Sequence, residues 1–85
     1  MKKEFSKQYY VEANGVANFS ITNISIEGYT PIAITEISTG EGHIALSVID
    51  FNNNYAALNV LVRNLWHDPL TKICKVVILY AKNIA

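Results

Sequence analysis

The sequence predicts an all-β fold, a small antiparallel β-sandwich that is jelly-roll-like and has about six strands. Several segments of the 85-residue chain alternate apolar and polar residues with a period of two, which is typical of half-buried strands. Turn signals recur at spacings of about 10 to 14 residues, as in an antiparallel sandwich or a partly open barrel. Isoleucine, valine, threonine and asparagine are abundant, and these residue types favour strands and turns over helix.

The most apolar segment is residues 72–81, which is rich in β-branched side chains and has no glycine or proline. In a strand, Cys74, Val76, Ile78 and Tyr80 would share one face, and most of the intervening residues are apolar too. A strand that is apolar on both faces needs cover on both faces. We therefore expect this segment to be the central strand of a module that associates with copies of itself.

The start of the chain divides into a polar segment and a first pair of strands. Residues 1–8 are charged and polar, so we expect a flexible start or linker stub there and a single domain over residues 9–85. The first strand is predicted to begin at Tyr9 and to end at the turn of residues 14–15. The second covers residues 16–22 and ends where the alternation slips by one residue.

The middle of the chain predicts two further strands. A turn over residues 27–31 contains Pro31, which keeps the residue before it out of helix, and a strand follows. A second turn, at residues 38–42, contains two glycines, which permit positive φ. After it, Ile44, Leu46 and Val48 alternate with their neighbours, so we expect these three side chains to share the buried face.

The remaining strand before the central one is predicted beyond the asparagine-rich loop tip at residues 52–54. Leu58, Val60 and Val62 alternate with their neighbours there. A helix over residues 55–65 is the alternative, and strand is preferred because Val60, Val62 and Asn59 favour it. A longer loop over residues 64–71 then leads into the central strand.

Composition limits the classes of function. A domain this short has a thin stability margin, and its single cysteine excludes an internal disulfide, so oligomerisation is the expected remedy. Residues 8–62 contain five acidic residues and no lysine or arginine, which disfavours nucleic-acid binding. We expect no signal peptide, because polar residues follow the first lysines, and the longest apolar run is too short to insert in a membrane. We therefore expect synthesis in the cytoplasm without an export signal, or as one piece of a longer protein.

Catalytic and metal sites are not predicted, and no cofactor is expected. Residues 50–54 have the spacing that opens a calcium loop, but Tyr55 and Leu61 replace the glycine and glutamate such a loop requires. His43 and His67 lie on different elements without the further ligands of a metal site, so we interpret them as surface or loop histidines. Cys74 is predicted to be a core residue rather than a nucleophile. The chain is therefore not expected to be an enzyme.

Four residues are candidates for ligand binding: Trp66, His67, Tyr55 and Asn53. An exposed tryptophan beside polar groups can stack on a sugar ring or anchor a protein contact. The nearby asparagines and the tyrosine would supply the amide and aromatic groups of a carbohydrate site. The alternative is that Trp66 covers the end of the core.

Three motifs together resemble a known family. They are Gly-Tyr-Thr-Pro-Ile at residues 28–32, Val-Leu-Val-Arg-Asn at residues 60–64 and the final segment at residues 76–83. This combination resembles the C-terminal β-modules of phage and prophage tail-fibre or minor structural proteins from gut Firmicutes, over about residues 28–83.

The resemblance implies a structural β-sandwich head at the tip of a fibre, with a homotrimer as the favoured assembly. It implies association with a virion or prophage, and host attachment through a cell-surface glycan as the function. Such heads are often carbohydrate binders and are not enzymes. A stand-alone lectin-like sugar-binding module is the alternative function.

Overall fold

The computed structural model describes residues 1–52 and 54–84. It confirms the all-β class, the small sandwich and the number of strands, and no described residue lies in a helix. The strands are β1 (Lys2–Val11), β2 (Val16–Thr22), β3 (Tyr29–Ser38), β4 (Ile44–Asn52), β5 (Ala57–Asn64) and β6 (Leu70–Lys82). No helix among these residues is long and apolar enough to cross a membrane.

Two three-stranded antiparallel sheets make up the sandwich, which measures 51 × 20 × 17 Å. Sheet A has the order β1-β6-β3, and sheet B has the order β2-β5-β4. Strand direction alternates along the whole chain. The loops after β1, β3 and β5 therefore meet at one end of the molecule, and those after β2 and β4 meet at the other. We call these the upper end (residues 12–15, 39–43 and 65–69) and the lower end (residues 23–28 and 54–56).

The final segment is the central strand of sheet A, as the sequence predicted. Cys74, Val76 and Ile78 have no exposed surface, and Tyr80 is 2% exposed. Alternation explains this directly, because every second side chain of β6 points between the sheets. The intervening residues lie on the outer face of sheet A, which no other element of the described chain covers.

Aromatic side chains join the two sheets through the core. The rings of Tyr9 on β1 and Phe19 on β2 are stacked at 4.9 Å. The Tyr9 hydroxyl donates to the Thr39 carbonyl at 2.6 Å, and burial raises the pKa of Tyr9 to about 12. The buried Tyr80 hydroxyl donates to the Ile24 carbonyl. Each ring thus contributes apolar area while its polar atom is satisfied. The buried apolar cluster comprises Tyr9, Val11, Ile21, Ile24, Ile44, Leu58, Val60, Val62, Cys74, Val76, Ile78 and Tyr80.

The first eight residues differ from the sequence prediction. Residues 2–8 belong to β1, which pairs with β6 from Lys2 opposite Leu79 to Val11 opposite Leu70 without a register shift. They are not a flexible stub. Backbone hydrogen bonds hold a strand whatever its side chains are, so a polar sequence can form an edge strand beside an apolar one.

β4 also departs from the predicted pattern. Ile44 is buried, but Leu46 is 37% exposed and Val48 is 41% exposed. The register with β5 shifts between Leu46 and Val48. An extra residue in one strand reverses the facing of every side chain beyond it. The inward positions after the shift are therefore Ile49 and Phe51, and the expectation that Val48 shares the buried face was wrong.

Some of the remaining boundaries agree with the sequence prediction, but β3 begins at Tyr29, inside the turn predicted over residues 27–31, and β6 begins at Leu70, inside the loop predicted over residues 64–71. β2 ends at Thr22, and Asn23 has a φ of 59°. The segment at 55–65 forms strand β5, not the alternative helix. Gly40 lies in the loop between β3 and β4 with a φ of 85°, and a Cβ there would be 2.6 Å from the Ile73 carbonyl oxygen. Only glycine meets both conditions, which is why this loop can approach β6 so closely.

Candidate functional site

The four candidate ligand-binding residues do not form one site. Trp66 and His67 lie at the upper end, whereas Tyr55 lies at the lower end, and Asn53 is outside the described residues. The length of β5 separates the two groups. At about 3.3 Å per residue, this eight-residue strand spans roughly 26 Å. The two ends therefore present separate surfaces.

Asn64, the last residue of β5, organises the upper end. Its side chain is fully buried, and its amide nitrogen donates to the carbonyls of Glu12 at 3.1 Å and Asp68 at 2.8 Å. Its amide oxygen accepts from the Trp66 backbone N–H at 2.9 Å. Its backbone N–H donates to the Gly15 carbonyl at 2.8 Å. One buried amide thus ties the loop after β1 to the loop after β5, with no polar group left unpaired.

Three aromatic rings pack together at the upper end. The imidazoles of His43 and His67 each lie 4.1 Å from the Trp66 ring, tilted by 33° and 39°. The Leu65 backbone N–H donates to the His43 carbonyl at 2.9 Å, so the loops after β3 and β5 are also joined through their backbones. Because two imidazoles lie against the indole, little of its surface is left for a sugar ring. Trp66 is not part of the buried core cluster either.

Charged groups surround these rings. Glu41 accepts from His43 Nδ1 at 2.9 Å and from the His43 backbone N–H at 3.2 Å, and its second oxygen is 3.5 Å from Lys72 Nζ. These hydrogen bonds, with the charge of Lys72, hold the pKa of the Glu41 carboxyl below its ordinary value. His67 Nε2 is 3.4 Å from Asp68 Oδ2. The network fixes the orientation of the histidines on Trp66.

The upper end does not assemble a recognisable reaction centre. No three His, Cys, Asp or Glu side chains come together to hold a metal ion within residues 1–52 and 54–84. Cys74 is buried, and burial raises the pKa of its thiol, which disfavours the reactive thiolate. The arrangement of Asn64, Trp66 and the histidines joins loops to one another.

The convergence of His43 with Trp66 was not predicted, although the sequence contains a signal for it. In an antiparallel sandwich whose strands alternate in direction, all loops that follow odd-numbered strands lie at the same end. His43 follows the third strand and Trp66 follows the fifth. The order of the strands therefore predicts that the two residues lie at the same end of the sandwich. Strand order does not predict that their rings stack.

The lower end has a more open surface. Phe51, Asn52, Asn54 and Tyr55 line a concavity of about 460 Å³. The rings of Phe51 and Tyr55 are 5.3 Å apart, and Tyr55 is 53% exposed. Asn54 and Tyr55 have φ values of 54° and 65°. A left-handed conformation is ordinary for asparagine and unfavourable for tyrosine, so the fold holds this ring at the surface at an energetic cost.

The outer face of sheet A is the third surface of interest. Along β6 it presents Ile73, which is 49% exposed, and the half-buried Val77 and Leu79. Val77 is flanked by Glu4 on β1 and Glu36 on β3, according to the strand registers. A concavity of about 350 Å³ lies there and is lined by Glu4, Glu36, Ile37, Ser38, Lys75 and Val77. An apolar row, interrupted by Lys75 and flanked by the two glutamates, therefore follows the central strand.

Comparison with protein-family models, with curated proteins and with solved structures gives no match to this chain.

Proposed function

We propose that the chain is a non-catalytic structural module that associates with copies of itself, of the type found in phage tail fibres, where it would contact a host surface. The outer face of β6 carries this proposal. Ile73, Val77 and Leu79 form an apolar row in the middle of sheet A that Lys75 interrupts, and no element of the described chain covers it. Covering such a row removes apolar area from water and is favourable at about 25 cal/mol per Å².

The charges beside this row suit a second copy of the same face. Lys2 and Glu4 lie on β1, Lys75 on β6 and Glu36 on β3, all on the outer face. A surface that carries both signs of charge can place its lysines against the glutamates of an identical surface. A contact between copies of one surface requires charges of both signs on that surface, whether two copies meet or three meet around a three-fold axis. The resemblance of the sequence to tail-fibre modules further favours a homotrimer and a role in host attachment.

Mass measurement across concentration tests the self-association. We expect light scattering coupled to gel filtration to give a multiple of the 9.5 kDa chain mass at micromolar concentration. Ile73→Lys and Val77→Lys should lower the measured mass, because each places a charge in the apolar row. Asn18→Lys is the matched control, since Asn18 is exposed on the outer face of sheet B. A monomeric wild-type protein, or an equal effect of all three variants, would contradict the proposal.

A lectin-like sugar-binding module is the second candidate, favoured by the lower end. Tyr55 presents an exposed ring beside Phe51 and Asn54 in an open concavity. An aromatic face can pack against the C–H groups of a pyranose while amide groups bond to its hydroxyls. The Trp66 ring is less suitable because two histidines lie against it.

A glycan-array screen of wild type and two variants tests this second candidate. We expect Tyr55→Ala to abolish the binding of any glycan that wild type retains, and Trp66→Ala to leave it in place once folding is checked by circular dichroism. Loss of binding in Trp66→Ala alone would move the sugar site to the upper end. Absence of binding by wild type would remove the candidate.

A further inference from the structure

The free edge of β1 is long and regular. All ten residues of this strand pair with β6 in one uninterrupted register. Met1 and Tyr80 exchange both backbone hydrogen bonds, at 3.0 and 2.7 Å. Because hydrogen-bonded and non-hydrogen-bonded pairs alternate in an antiparallel ladder, the odd-numbered residues of β1 bond to β6. The backbone N–H and C=O groups of its even-numbered residues, from Lys2 to Tyr10, point away from the sheet.

The opposite edge of sheet A is irregular. β3 has two register shifts, after Pro31 and after Ile34, and proline itself has no N–H to donate. Bulges and proline on an edge strand discourage the addition of another strand. β4 follows β3 in the chain and forms an edge of sheet B. Its register with β5 also shifts once. Of the two edges of sheet A, therefore, only β1 offers an unbroken row of backbone groups.

We propose that this edge pairs with the same edge of a second copy, antiparallel, with Ser6 of each chain on the two-fold axis. A continuous sheet keeps the inner face of both copies on the same side. Facing residues must then lie on the same face of the sheet, so both must be even-numbered or both odd-numbered. Their two residue numbers therefore add up to an even number. Ser6 opposite Ser6 satisfies this condition and pairs residues 2–10 of both strands.

The side chains of β1 match one another in this register. Glu4 faces Gln8 of the second copy. Two of the three lysines face an accessible aromatic ring, since Lys2 faces Tyr10 and Lys7 faces Phe5, whereas Lys3 lies opposite the buried Tyr9. Facing residues on an antiparallel pair have Cβ atoms about 4.5–5.5 Å apart, which is close enough for a lysine to interact with a ring. No two like charges face each other.

The neighbouring registers are less favourable. Centring the pair on Phe5 places Lys3 opposite Lys7, centring it on Lys7 places two copies of that lysine together, and centring it on Glu4 opposes two glutamates. Like charges directly opposite each other destabilise a strand pair. Centring the pair on Gln8 opposes no like charges but leaves Lys2, Lys3 and Glu4 unpaired. Lysine on an edge strand usually deters pairing, and in β1 the lysines disfavour the registers centred on Phe5 and on Lys7.

This edge contact is separate from the outer-face contact proposed above, because it uses backbone groups rather than the apolar row of β6. It joins two copies of sheet A into one six-stranded sheet. By itself it closes as a dimer, so it goes beyond the proposed function, and either contact can be lost without the other.

Cysteine scanning tests both the contact and its register. In a hydrogen-bonded antiparallel pair the facing Cα atoms are about 5.5 Å apart, which lies within the range a disulfide can bridge. Ser6→Cys should therefore cross-link to a dimer under a mild oxidant. Glu4→Cys and Gln8→Cys are matched controls on the same exposed face, and their own counterparts would lie about 13 Å away. The double variant with both of these cysteines should cross-link again. Native Cys74 is fully buried and does not compete.

Non-reducing gel electrophoresis reads the result, and circular dichroism confirms that each variant is folded. We expect the dimer to form at least ten times faster with Ser6→Cys than with Glu4→Cys or Gln8→Cys. Equal rates at the three positions would overturn the proposed register, and the absence of a cross-link at all of them would overturn the contact. Ile73→Lys added to Ser6→Cys should leave the cross-link intact, because the outer-face contact is not required for it.

Discussion

The two ends of the sandwich are built in contrasting ways. At the upper end, a buried asparagine and a stack of three rings connect the loops to one another. At the lower end, Tyr55 projects from a loop with an unfavourable backbone conformation and an exposed ring. The upper end uses its polar and aromatic side chains for internal contacts. At the lower end the exposed Tyr55 ring remains accessible to a ligand.

The largest effect is expected at Asn64. Asn64→Ala removes three hydrogen bonds and leaves the Asp68 carbonyl and the Trp66 N–H without this partner, while the Glu12 carbonyl still accepts from the Gly15 N–H. Each unpaired buried group is costly, so the free energy of unfolding should fall by about 2–3 kcal/mol. Asn59→Ala, on the partly exposed outer face of the same strand, should change it by about 0.5 kcal/mol or less. Urea denaturation gives both values, and equal losses would show that the upper end does not depend on this amide.

Gly40 is expected to have the next largest effect. Gly40→Ala places a methyl group 2.6 Å from the Ile73 carbonyl oxygen in a residue with a φ of 85°. Strain of this kind costs about 1–3 kcal/mol. Gly42→Ala is the control two residues later, because its methyl group would meet nothing within 4 Å. Thermal unfolding of the two variants should differ clearly, and similar melting temperatures would contradict the close approach.

At the lower end a substitution should stabilise the protein. Tyr55→Asn replaces tyrosine at a φ of 65° with a residue that tolerates this region, so the free energy of unfolding should rise by about 0.5–1 kcal/mol. Tyr10 is equally exposed, at 53%, but lies in a strand. Tyr10→Asn should destabilise the protein by up to about 1 kcal/mol. The opposite signs distinguish strain at Tyr55 from a general effect of losing a tyrosine.

The smallest effect is the contribution of Glu41 to acid stability. Its pKa is lower in the folded protein than the ordinary value of 4.5, so the stability it adds is present above that value and is lost as the pH falls through the folded pKa. Glu41→Gln should remove this part of the stability loss at pH values below 4.5. Melting temperatures of wild type and variant across this range provide the measurement. A parallel pH dependence in both proteins would exclude the role of Glu41.

The sequence predicted the class of fold and its central strand because Cys74, Val76 and Ile78 repeat with the period of the strand. The alternation of apolar and polar residues gave wrong predictions where backbone geometry overrides it. The register shift before Val48 reversed the facing of β4, and the polar residues of β1 are held by hydrogen bonds that carry no side-chain signature.

The candidate site was only partly predictable for a related reason. Trp66 and Tyr55 were recognised by residue type, but their separation depends on strand direction. The contact of His43 with Trp66 depends on loop conformations that no local pattern encodes.

The central position of β6 also constrains how the protein acquires its fold. Sheet B can begin with the hairpin of β4 and β5, which are adjacent in sequence, whereas both β1 and β3 pair only with the last strand. During synthesis on the ribosome, the two outer strands of sheet A therefore emerge long before their common partner. Non-local pairings of this kind slow folding and leave strand edges unprotected in the meantime. Sheet A can therefore be completed only after β6 has emerged from the ribosome.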